Sequence, residues 1–136
     1  MQRLYIEKTE NTPEINFSPD ENIFIIKGTS SPEDVRAMYY PVIEWLKIFV
    51  DDVIDGEYEN FSSEKALILT ADLAYFNSSS AKFFYDIFTE LKRLIDNNIR
   101  VMVEWFYDEE DSDQKEAGSD ISLLVEMDFV FIPKKR

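Results

Sequence analysis

Cysteine and histidine are both absent from the 136 residues. Their absence excludes a disulfide, a thiolate nucleophile, a zinc–thiolate centre, a Ser-His-Asp triad and an imidazole base. Basic residues are scarce as well, with 14 Lys and Arg against 28 Asp and Glu, a net charge of −14. Nucleic acid and anionic membrane are poor partners for such a surface, because phosphate binding needs dense Lys and Arg. No apolar run reaches the roughly 18 residues that a membrane helix requires. The first eight residues, Met1 to Lys8, alternate and carry acid, unlike a signal peptide. A cytoplasmic protein without cofactor is expected.

Apolar material is plentiful: 45% of residues are hydrophobic and 15% aromatic. One domain spanning 1–136, with no internal repeat or low-complexity linker, is the expected organisation.

Residues 14–18 alternate in polarity, Pro19-Asp20-Glu21-Asn22 supplies turn chemistry, and Ile23–Gly28 is rich in β-formers, so a hairpin is expected. Ser31-Pro32-Glu33-Asp34 is a helix-start signal, with Ser31 as cap. Behind it Val35, Met38, Val42, Leu46, Phe49 and Val53 recur at three- and four-residue steps. They predict about five helical turns, which Pro41 should bend or split near Tyr40. The run Ala66–Leu73 is apolar enough for a strand covered on both faces. Phe84, Ile87, Phe88, Leu91, Leu94 and Ile95 mark a second amphipathic helix, and Ile99–Tyr107 a further strand. Residues 108–116 hold six acids and one base and read as a solvated, mobile loop, with no EF-hand spacing and no metal site. Ser119–Glu126 suggests a short helix, Phe129–Ile132 a last strand, and Lys134-Lys135-Arg136 a basic tail. The fold class is α/β, with helices on a mixed sheet in the order β-β-α-β-α-β-(α)-β.

Chemistry is most legible in Asp72-Leu73-Ala74-Tyr75-Phe76-Asn77-Ser78-Ser79-Ser80. A strand feeds a short polar loop that opens into a helix, so the hydroxyls sit near unpaired helical N–H groups and the positive end of the helix dipole. A phosphoryl group there would add roughly −1.5 to −2 charges and alter partner binding. A plain helix cap by Asn77 or Ser78 explains the same residues. Trp45, Trp105, Phe83, Phe84 and Phe88 are expected in the core. Tyr39, Tyr40, Tyr75 and Phe76, near element ends, are candidates for an exposed patch beside Ser78. The one carboxylate constellation open to an enzyme, such as an acid-pair hydrolase, is Asp72 with an acid from 104–110.

Thr12-Pro13-Glu14-Ile15, Gly28 to Glu33, Tyr40-Pro41-Val42-Ile43-Glu44-Trp45-Leu46, Tyr75 to Ser80, Asp86-Ile87-Phe88 and Val103 to Asp108 together resemble the SiaC-type regulatory phosphoproteins. That family is similar to the STAS fold of anti-sigma factor antagonists, in which a β-α loop hydroxyl is phosphorylated. The resemblance implies a non-catalytic switch: a histidine-kinase-like serine kinase adds phosphate, a PP2C-type phosphatase removes it, and the unphosphorylated form activates a diguanylate cyclase in c-di-GMP signalling. It implies Ser78 as acceptor, Ser79 as next candidate, and Asn77, Ser79, Ser80, Tyr75 and Phe76 as partner-binding residues. The family pattern has Thr in place of Ser78. An anti-sigma-antagonist-like partner-switching role is the alternative; STAS antagonists carry Asp and Gly where this chain has Asn77 and Ser80, which implies a partner set unlike that of the sporulation system.

Overall fold

The computed structural model describes residues 2–135, so Met1 and Arg136, the ends of the N-terminal octet and the basic tail, lie outside the described residues. The strands are β1 (Leu4–Ile6), β2 (Glu14–Ser18), β3 (Ile23–Ser30), β4 (Leu67–Phe76), β5 (Val101–Asp108) and β6 (Phe129–Lys134). The helices are α1 (Val35–Ile54), α2 (Ser78–Asp96) and α3 (Ser112–Val125). All six strands form one sheet in chain order, antiparallel from β1 to β3 and parallel from β3 to β6. Strand β1 is not among the expected elements, because three residues are too few for an alternating pattern to mark.

The hairpin forms as expected, closed by a short 3-10 turn at Pro19–Glu21 with Asn22 in the left-handed region at φ 51°. The Asn22 side chain also donates to the Ala66 carbonyl and accepts from the Ile68 N–H, which ties the turn to the start of β4.

Each parallel step in this order needs a crossover, and right-handed crossovers taken in one direction bring α1, α2 and α3 to one face. Burial follows that geometry. Along β4, Leu67, Leu69, Ala71 and Leu73 are buried while Ile68, Thr70 and Asp72 are only half-buried. The expectation of a strand covered on both faces is therefore corrected: among the described residues no helix lies over the second face of β4. Trp105, Phe83, Phe84 and Phe88 are core residues, and Trp45 is half-buried against Phe17 and Phe49.

Helix α1 runs unbroken through Pro41. Interior proline costs about 3 kcal/mol. The helix nevertheless buries Tyr39, Val42, Leu46, Phe49, Val50 and Val53, each contributing about 1.5–3 kcal/mol, so packing wins. Its cap is Asp34, whose carboxylate accepts from the Ala37 N–H at 3.1 Å, rather than Ser31.

The acidic run is not a mobile loop throughout. Helix α3 starts at Ser112 rather than Ser119, capped by Asp111, which accepts from the Gln114 N–H at 3.1 Å, with Asp113 in its first turn. Acids are stabilising at a helix N-terminus, so the same residues that look like a solvated loop make a good helix start.

Candidate phosphoacceptor loop

The site is built where β4 meets α2. Strand β3 pairs with β4 in register from Phe24↔Leu69 to Gly28↔Leu73, then shifts so that Thr29 faces Tyr75 and Ser30 faces Phe76. This bulge places one extra residue, Ala74, on β4. Gly28 opposite it has φ 129°, a backbone conformation that favours glycine. The extra residue reverses which side chains point inward. Tyr75 is left 56% exposed, and Phe76 turns toward the helices, edge-on to Phe84 at 5.1 Å and to Trp105 at 6.0 Å.

Asn77 is the N-cap of α2, its Oδ1 accepting from the Ser80 N–H at 2.9 Å. Its own N–H continues the sheet by donating to the Ser30 carbonyl at 3.0 Å. Ser78 and Ser79 occupy the first two helical positions and are exposed. Ser80 is fully buried and donates to the Ser30 carbonyl at 3.1 Å. The expectation that Ser80 meets a partner is corrected, since its hydroxyl faces the interior.

Ser30, which local pattern does not place at the site, and Tyr39, expected on its surface, complete it from the interior. Ser30 donates to Ser80 Oγ at 2.7 Å, and the Ser30 hydroxyl lies 2.6 Å from Tyr39 OH. Tyr39, expected near the surface, is fully buried, stacked on Phe83 and edge-on to Phe84. Burial pushes its pKa up to about 12. Tyr40 is 54% exposed over the edge of Phe83, so of the four aromatics expected near the surface Tyr40 and Tyr75 are exposed. Lys82, one turn into α2, pairs with Asp86 at 3.6 Å.

Asp72, the centre of the hydrolase alternative, shares a recess of about 400 Å³ with Asp108, Asp111, Lys134 and Lys135. Its carboxylate accepts from Lys134 Nζ at 2.5 Å. No helix among the described residues is long and apolar enough to cross a membrane.

The model of the SiaC family regulatory phosphoproteins matches residues 6–134. The chain belongs to the SiaC family. Apo-SiaC from Pseudomonas aeruginosa superposes with a TM-score of 0.81 at 26% identity, covering 97% of this chain and 99% of that one. The diguanylate cyclase SiaD of the same organism has been crystallised in complex with its activator SiaC. That structure matches with a TM-score of 0.79 at 26% identity, covering 98% of this chain and 99% of the matched one. An uncharacterized protein of Pseudomonas aeruginosa strain UCBPP-PA14 is 29% identical over 108 residues, 79% of this chain and 78% of its own length. The SiaC resemblance and the mixed α/β fold read from the sequence both hold. SiaC-family membership makes this chain a regulatory protein.

Proposed function

We propose that this protein binds and activates a diguanylate cyclase, and that phosphorylation of Ser78 abolishes the interaction. Family membership supports the regulatory role, and the activator role of SiaC toward SiaD supports the partner class. The observation that carries the site is the position of Ser78: an exposed hydroxyl on the first residue of α2, with the cap already taken by Asn77. A phosphate there meets the positive end of a 19-residue helix. It also stands close to Tyr75 and to an apolar groove between α2 and α3 lined by Phe76, Ala81, Tyr85 and Leu124. A partner docking on those apolar groups would have to desolvate a dianion, which is how the phosphate switches binding off. A histidine-kinase-like kinase and a PP2C-type phosphatase set the phosphate level, and the chain itself has no catalytic role.

The test is intact-protein mass spectrometry of the natively expressed chain, with c-di-GMP synthesis by the host cyclase as readout. Wild type should carry one phosphate, mapped to Ser78. Ser78→Ala should lose it and activate constitutively, and Ser78→Asp should activate poorly. Phosphate on Ser78→Ala equal to wild type would overturn the site, and a cyclase indifferent to all three proteins would overturn the partner.

A further inference from the structure

Asn77-Ser78-Ser79-Ser80 presents four consecutive residues that all make good helix caps. Local preference alone therefore leaves the start of α2 degenerate. A helix beginning one residue later would put Ser78 at the cap, where its oxygen would turn inward to accept a backbone N–H.

The degeneracy is broken from outside the loop. Ser80 gives its one hydroxyl proton to the Ser30 carbonyl, and Ser30 gives its own to Ser80 Oγ. The 2.6 Å contact between Ser30 and Tyr39 then has one remaining donor, the phenol. The result is a directed chain from Tyr39 through Ser30 to Ser80 and back to the strand. All three residues are fully buried, so no water competes for these bonds. Asn77 adds its N–H to the same carbonyl at 3.0 Å. Three elements, α1, β3 and α2, are thereby pinned at a single register.

We infer that the Tyr39–Ser30–Ser80 hydroxyl chain is the positioning device that selects Ser78 as acceptor, by fixing where α2 begins. Its reference to phosphate rests on the function proposed above. Tyr39 is a positioning residue, one helix away from the hydroxyl it controls.

The experiment compares Tyr39→Phe and Ser30→Ala with wild type in two readouts. One is the distribution of phosphate over Ser78, Ser79 and Ser80 in the native host, by peptide mapping. The other is amide hydrogen exchange at residues 79–82, which needs no phosphate. Val53→Ala, at the opposite end of α1, serves as a destabilised control outside the chain of hydroxyls. In both test variants the share of phosphate on Ser79 and Ser80 relative to Ser78 should rise, about fivefold in Tyr39→Phe, which loses one hydrogen bond, and at least as much in Ser30→Ala, which loses two. Exchange at residues 79–82 should accelerate by a similar factor, and Val53→Ala should do neither. Unchanged exchange in folded Tyr39→Phe, or equal scatter of phosphate in Val53→Ala, would overturn the inference. If wild type carries no phosphate at Ser78 while Tyr39→Phe still accelerates exchange locally, the positioning of α2 stands and the phosphorylation reading falls.

Discussion

Gly118 lies flat against the indole of Trp105, so close that a Cβ built on the glycine would fall 2.5 Å from Trp105 Cε2. The indole cannot easily retreat. It is 1% exposed, its Nε1 donates to the Gln114 carbonyl at 3.2 Å, and Phe129 stacks on it at 5.9 Å. Mid-helix glycine ordinarily costs about 1 kcal/mol relative to alanine. Here Gly118→Ala should nonetheless destabilise the protein by about 1–3 kcal/mol, because overpacking exceeds the gain in helix propensity. Thermal unfolding and Trp fluorescence report both sides: a lower Tm with an altered indole signal is expected, and a raised Tm would show that α3 can slide off β5.

Gly28 makes a different demand. Its φ of 129° is strained for any L side chain, and a Cβ would also sit 3.3 Å from Pro13 Cα. Gly28→Ala should cost about 1–3 kcal/mol. The loss should be accompanied by altered exposure of Tyr75, because the register shift beside Gly28 is what turns Tyr75 outward and Phe76 inward. Quenching of tyrosine fluorescence by acrylamide, alongside chemical denaturation, checks both.

Tyr39 sets an alkaline limit on the fold. Burial lifts its pKa from the ordinary 10.0 to about 12, so the folded state holds the phenol proton after the unfolded chain has released it. Stability from this group is complete below pH 10 and is lost as pH rises from 10 through about 12, amounting to about 2–3 kcal/mol. Absorbance titration of the seven tyrosines should show two lagging: Tyr39, and Tyr58, raised by burial and by Asp20, Asp52 and Glu57. Tyr39→Phe should be less stable than wild type at neutral pH and should lose less stability between pH 10 and 12. Parallel alkaline curves for the two proteins would contradict this assignment.

What the sequence makes legible here is what depends on periodicity. The faces of α1 and α2 and the alternation along β5 stand out because burial repeats every 3.6 or every two residues, whatever the partners are. Helix starts are less legible. Ser31 and Asp34 both satisfy the cap rule, and only the observed bond from the Ala37 N–H to Asp34 distinguishes them. The first turns of α3 lie in acid density that resembles a solvated loop. At the site, local pattern places a helix start within Asn77–Ser80, but Asn77 and Ser78 both satisfy the cap rule and only the bond from the Ser80 N–H to Asn77 distinguishes them. The burial of Ser80 does not follow from local pattern, because it is decided by Ser30 and Tyr39, which lie far away in the chain and meet it only after β3, α1 and β4 have assembled.

Stability and binding should respond to charge at Ser78 with opposite signs. The hydroxyl occupies the first helical position of α2, whose first turn holds no acidic residue to complement the dipole. A carboxylate in that place is favourable by about 0.3–1 kcal/mol at low ionic strength, a Tm rise of about 1–4 °C. The overall charge of −14 works against it, but at longer range and under stronger screening. Ser78→Asp should thus be slightly more stable than wild type in 20 mM salt while activating the cyclase less. Added salt should shrink the stability gain. The same substitution at Ser80 should fail to fold well, because a carboxylate there would be buried against the Ser30 carbonyl. Calorimetry of the two variants at low and high salt separates these cases. A destabilised Ser78→Asp would mean that lost activation reflects a damaged fold, and the charge at the mouth of α2 would no longer account for the switch.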